Sequence, residues 1–200
     1  NDGPGLTLRL GHDFNEWFGV EFGLHGFPHL DNSEFDNPDR FQLDDAIWAI
    51  GMRNPFRFSF DTANGRMYIN DNGDNDPATS IEEIAIGAAG ANYGWPVCQG
   101  NCGTPGMTNP IYGYQHAGRD ASITGGVMYR GTQFPAEYQG SYFFADYVQN
   151  IIWRLTFDQN GNVTGRQNFE PETGTLDGPY GDIVDLKVGP DGALYYVDIG

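Results

Sequence analysis

Gly65-Arg-Met-Tyr-Ile-Asn-Asp71, Gly140-Ser-Tyr-Phe-Phe-Ala-Asp146 and Gly192-Ala-Leu-Tyr-Tyr-Val-Asp198 are three copies of one pattern: Gly, any residue, three apolar residues, any residue, Asp. Asn64-Gly65 and Asp191-Gly192 supply the positive φ angles that a tight turn between antiparallel strands requires. The apolar run after each glycine suits a strand buried on both faces. A partner strand with period-two alternation lies just upstream in two copies, Phe56-Arg-Phe-Ser-Phe60 and Val184-Asp-Leu-Lys-Val188. A third strand follows in two, Ile81-Glu-Glu-Ile-Ala-Ile86 and Ile151-Ile-Trp-Arg-Leu-Thr-Phe157. The unit is therefore a sheet of three or four antiparallel strands.

Small antiparallel sheets recurring every ~50 to 75 residues predict an all-β fold, a β-propeller whose blades this chain covers only in part. A β-sandwich is the competing architecture, but it has no need of one turn-plus-aspartate signature used three times. The pattern predicts two full blades at 46–90 and 122–170 and the first half of another from 182. Residues 46–200 read as the propeller domain, and 1–45 as an N-terminal segment. In that segment Phe14–Phe22 can form a strand, while Asp31–Asp45 is a polar surface excursion broken at Asn37-Pro38. The chain starts at Asn1 without Met and stops just after a strand, as expected of a piece of something longer.

The formal net charge is −17, with Lys187 the single lysine beside nine arginines, and such a surface repels nucleic acid and anionic lipid. No apolar run approaches the ~20 residues needed to cross a bilayer, so membrane insertion is not expected. Cations, neutral sugars or glycans and protein surfaces remain as partners. Cys98 and Cys102 lie in a Gly/Pro-rich loop, where they can close a small disulfide ring or supply half of a zinc site. A disulfide points to an extracellular or periplasmic location.

Three segments concentrate chemistry. Gly51-Met-Arg-Asn-Pro-Phe-Arg-Phe58 places Arg53 and Asn54 just before a strand, where a guanidinium can clamp a carboxylate or carbonyl, or satisfy loop carbonyls. Asp71-Asn-Gly-Asp-Asn-Asp-Pro77, with Glu82 and Glu83 after it, offers hard oxygen ligands for calcium, or simply a solvated Asx-rich turn. Tyr114–Arg119 and Ser122–Gly131 bring His116, Ser122 and Thr124 near paired glycines that allow close backbone approach; His116 is either a base or a loop hydrogen-bonder.

These segments, with Gly90-Ala-Asn-Tyr-Gly-Trp-Pro96, Tyr142-Phe-Phe-Ala-Asp-Tyr147 and Val188-Gly-Pro-Asp-Gly-Ala-Leu-Tyr-Tyr196, occur in an order that resembles the glucose/sorbosone dehydrogenase family over about 46–200. That family includes soluble quinoprotein aldose dehydrogenases and a Hedgehog-interacting-protein-like group. The resemblance implies a six-bladed secreted or periplasmic propeller and, in its enzymes, pyrroloquinoline quinone (PQQ) held with calcium over the central channel. By position it places Arg53, Asn54 and Thr124 on the quinone side. The carbonyls of Gly73 and Asp74 would face the cofactor calcium, and Glu82 and Glu83 a second calcium. The implied activity is oxidation of an aldose at C1, with Arg53 beside the developing oxyanion; the alternative is a non-catalytic, calcium-braced propeller that binds glycans or proteins. The general base is unassigned, since none of His12, His25 and His29 stands in a matching context, and no lysine or arginine pair matches the family's cofactor anchors.

Overall fold

The computed structural model describes residues 5–9 and 21–25 as strand backbone, and 48–118, 120–169 and 181–199 in full. Strand β1 (Gly5–Arg9) pairs antiparallel with β2 (Glu21–His25), so of the candidate strand 14–22 only the last two residues fall in a described element. His12, His29 and the 31–45 excursion lie outside the described residues.

The remaining strands form sheets in strict sequence order. The first is β3 (Pro55–Phe60), β4 (Met67–Asp71), β5 (Ile81–Ile86) and β6 (Tyr112–Gln115); the second is β7 (Ile123–Met128), β8 (Tyr142–Asp146), β9 (Ile151–Phe157) and β10 (Val163–Asn168). Strands β11 (Ile183–Val188) and β12 (Leu194–Asp198) start a third. The first sheet thus runs past residue 90, where the sequence reading ended it. Its outer strand, Tyr112-Gly-Tyr-Gln115, follows the cysteine loop, and its alternation is the single pair Tyr112 and Tyr114, too short to announce a strand.

Each of the three glycine-to-aspartate repeats is the second strand of its sheet. Gly65, Gly140 and Gly192 have φ of 72°, 73° and 81°, the left-handed backbone the hairpins require. The burial of β8 accounts for its apolar run. Tyr142 and Phe144 face the first sheet, packing with Tyr68, Ile84 and Tyr114, and the rings of Tyr68 and Tyr142 stack at 4.7 Å. Phe143 and Ala145 point the other way, onto Ile183 and Leu186 of the third sheet. Burying one such aromatic side chain contributes about 2–3 kcal/mol. In β12 the same pattern has no strand on its far side among the described residues, and Tyr195, Tyr196 and Val197 are half exposed.

The sheets approach one another at their first strands: β3 lies against β7, and β7 against β11. Each of these inner strands carries a bulge where it begins, at Pro55/Arg57, Ile123/Gly126 and Ile183/Asp185. Sheets gathered by equivalent inner strands are blades, and the chain is part of a β-propeller.

Candidate functional site

The residues singled out from sequence meet where the inner strands begin. The aspartate closing each second strand holds the start of the first strand in the same blade. Asp71 accepts hydrogen bonds from the backbone N–H of Arg53 (3.0 Å) and Asn54 (2.6 Å). Asp146 accepts from the N–H of Ser122 at 3.2 Å, and Asp198 from that of Asp182 at 3.0 Å. The repeated aspartate is thus a latch, a role its spacing did not disclose.

At the first blade the latch borders a small cavity. Arg53, Asp71, Gly73, Glu83, Trp95, Cys98 and Gln99 line about 10 Å³, room for one water or small ion. The Arg53 guanidinium sits 5.9 Å from the Trp95 ring and donates to Asn75 Oδ1 at 3.0 Å. Gly73 admits no side chain, because a Cβ there would lie 2.2 Å from Ser80 Oγ and 2.6 Å from the Ile81 carbonyl oxygen. Burial pushes the Asp71 carboxyl up to about 7 against its hydrogen bonds from Arg53 and Asn54. Burial likewise raises Glu83 to about 7, opposed by its bond from Gly100 N–H and reinforced by the nearby Asp71 and Glu82 charges.

Glu82 and Glu83 are neighbours in β5 and so face opposite sides of the sheet. Glu83 faces the cavity and accepts from Gly100 N–H. Glu82, fully buried, is a hydrogen-bond hub: its Oε1 takes Gly73 N–H (3.2 Å) and His116 Nε2 (2.7 Å), and its Oε2 takes Ile123 N–H (2.8 Å). His116 Nε2 also lies 3.0 Å from Ser80 Oγ, so the histidine is a buried hydrogen-bonder among its own loops. Asp74 is gripped by Gln99, which donates through Nε2 to its Oδ2 (2.7 Å) and accepts from its N–H (3.2 Å).

Thr124 stands apart. Its buried hydroxyl donates to the Ile183 carbonyl at 2.7 Å, across the seam between the second and third blades. Ser122 and Asn72 bond each other over the seam between the first and second, and Asn72 also donates to the Ile123 carbonyl at 2.7 Å. Cys98 and Cys102 form a disulfide, with Cα atoms 5.6 Å apart. Sequence reasoning missed Gln99 and Gly100, whose contacts are purely tertiary, although their position between two cysteines in a short loop marks them as held in place.

The cavity suits a cation. Asp71 and Glu83 bring two carboxylates to an ion-sized space that, among the described residues, Arg53 partly compensates, the donor chemistry of a hard divalent ion. Among the described residues no three His, Cys, Asp or Glu side chains gather to hold a metal, so any further ligands would be carbonyls, amides or water. By themselves the same residues do not hold a tricarboxylate quinone. Among the described residues Arg53 is the one cation on the cavity wall, with Asp71 and Glu83 beside it. No helix among the described residues is long and apolar enough to cross a membrane.

Comparison with known proteins identifies relatives of the chain. HIPL1 protein of Arabidopsis thaliana is 36% identical over 139 residues, covering 59% of this chain and 19% of that protein. Aldose sugar dehydrogenase YliI of Escherichia coli K12 is 26% identical over 160 residues, covering 74% of this chain and 40% of that protein. The PQQ-bound aldose sugar dehydrogenase of Streptomyces coelicolor superposes with a TM-score of 0.58 at 22% identity, over 78% of this chain and 40% of that one, a likeness of fold. The chain therefore spans less than half the length of these relatives. The Glucose / Sorbosone dehydrogenase family model matches residues 25–198, reaching further toward the N-terminus than the motifs at 46–200, and the chain belongs to that family.

Proposed function

We propose that the complete protein is a secreted or periplasmic sugar dehydrogenase that oxidises an aldose at C1, with a quinone as hydride acceptor and calcium bound at the Gly73 loop. The observation that carries this reading is the convergence of Arg53 with the buried carboxylates Asp71 and Glu83 on one ion-sized cavity. A divalent cation there balances both carboxylates. Arg53, at the cavity wall, keeps guanidinium donors for an oxyanion developing on the sugar. Asn54 shares the quinone side with Arg53, and the Gly73 and Asp74 carbonyls serve the cofactor calcium. Glu83 with Asp71 holds the second cation, while Glu82 and Thr124 keep the surrounding frame. Arg53 alone does not neutralise a tricarboxylate, so quinone binding in the complete protein requires further cations beside it. The Cys98–Cys102 disulfide supports an oxidising compartment.

The isolation of Arg53 among carboxylates favours a second reading, a non-catalytic, calcium-braced propeller that binds glycans or proteins. One experiment separates the two. The full-length protein is reconstituted with calcium and PQQ and assayed for dye reduction over a panel of aldoses, while PQQ is titrated calorimetrically. Turnover with saturable quinone affinity supports the dehydrogenase. A flat panel with no quinone heat removes it and leaves the binding propeller.

A further inference from the structure

The loop closed by the two cysteines lines the acidic cavity through Cys98 and Gln99. Between the sulfurs lie Gln99 and Gly100, and their polar groups hold both candidate ligand segments. Gln99 Oε1 accepts from the N–H groups of Asp74 (3.2 Å) and Ile81 (3.3 Å), while its Nε2 donates to Asp74 Oδ2 (2.7 Å). Gly100 N–H donates to Glu83 Oε1. Cys98 itself lines the cavity. The loop's base is fitted around the sulfurs: a Cβ on Gly94 (φ 101°) would lie 2.6 Å from Cys102 Sγ and 2.7 Å from Cys98 Sγ. Gly100 (φ 68°) leaves no space on its inner side either, since a Cβ there would meet Ile81 Cδ1 at 2.9 Å. Both cysteines are only half-buried, and Val97 and Asn101 beside them are exposed, so a small thiol can reach the bond.

We propose that the Cys98–Cys102 disulfide is a redox-set clamp on the acidic cavity, acting through Gln99 and Gly100 as positioning residues. Oxidised, the five-residue ring fixes the Gln99 carboxamide on Asp74 and the Gly100 N–H on Glu83, and the cavity keeps the shape of one ion. Reduction by a dithiol transfers two electrons and two protons to the bridge, giving two Cys thiols and a disulfide in the reductant. The loop then gains backbone freedom, and its holds on the two acidic segments weaken together. This rests on the cation reading above, and it makes cation affinity a function of the redox state of a bond that supplies no ligand.

The test uses the full-length protein, oxidised or reduced with dithiothreitol and alkylated, with free thiols counted by mass. Calcium is titrated by competition against terbium luminescence sensitised by Trp95, and amide exchange is followed at Asp74, Ile81 and Gly100. Reduction is expected to speed exchange at those three amides and to weaken calcium binding about tenfold, a loss of one to two hydrogen-bonded holds. Gln99→Ala, with the disulfide intact, is expected to lower calcium affinity by a similar factor without changing the far-UV spectrum. Unchanged exchange in fully reduced protein overturns the clamp. Faster exchange with unchanged calcium affinity overturns its coupling to the site. Faster exchange in a protein that binds no calcium in either state keeps the mechanical clamp and removes the cation reading instead.

Discussion

At the scale of single residues, Glu82 and Glu83 show how one position separates frame from site. Both are buried, yet Glu82 answers three donors from three segments, whereas Glu83 answers one and faces the cavity. Replacing Glu82 by Ala strands the N–H groups of Gly73 and Ile123 and the His116 ring, and should cost about 3 kcal/mol in urea unfolding. Glu83→Gln keeps the shape and one acceptor oxygen. It should leave the unfolding midpoint nearly unchanged while weakening calcium binding in titration at least about tenfold. The sequence showed this carboxylate pair as chemistry, and period-two alternation alone puts its members on opposite faces. What it could not show is which face meets a neighbouring blade, because the Ile123 donor lies 41 residues away.

At the scale of elements, the glycine-to-aspartate hairpin was legible in full because both ends of it are local. Gly65 and Gly192 follow from turn chemistry, and the apolar run follows from a strand with a blade on each face. The aspartate latch was legible as a repeat and not as a mechanism, since its partners sit 16 to 24 residues upstream. Asp146 carries more than Asp71, adding Val148 N–H (3.0 Å), Gln149 N–H (2.8 Å) and the Tyr114 hydroxyl (2.6 Å) to Ser122. Burial, and after it the Asp146 charge, holds that tyrosine well above its ordinary pKa. Asp146→Ala should therefore destabilise the protein by about 2–4 kcal/mol in denaturant titration, with Asp146→Asn recovering part of it through its remaining acceptor.

At the scale of the whole molecule, adjacent blades are tied by a bidentate ion pair at the end of the sheets away from the cavity. Arg130 Nε and Nη2 donate to the two carboxylate oxygens of Asp61 at 2.9 and 2.7 Å. The hydrogen bond from Arg130 holds the Asp61 carboxyl below its usual range, with burial opposing. A carboxyl depressed in the folded state stabilises the fold above its unfolded pKa and loses that contribution as pH falls through the lower folded value. Arg130 is 38% exposed, so the pair should be worth about 1 kcal/mol near neutrality. The wild-type protein should thus lead an Arg130→Ala variant in urea midpoint at pH 7, and the lead should close as pH falls through the lowered Asp61 pKa, beneath the ordinary aspartate range. The radial arrangement was legible from the threefold repeat, whereas this tie, 69 residues apart in sequence, was not.

Gly125 and Gly126 on β7 set how closely the blades stand. A Cβ on Gly125 would fall 2.4 Å from the Asp185 Cα of the third blade, and one on Gly126 would fall 2.3 Å from Tyr142 Oη and 2.8 Å from Asn70 Nδ2 of the first. At these two residues the inner strand of the middle sheet is bare backbone on both faces, while its second strand carries full tyrosine and phenylalanine rings. A slab thin at the hub and thick toward the rim is a wedge, and wedges laid side by side must fan. The angle of that fan, written in two missing methyl groups, governs how many such slabs close a circle.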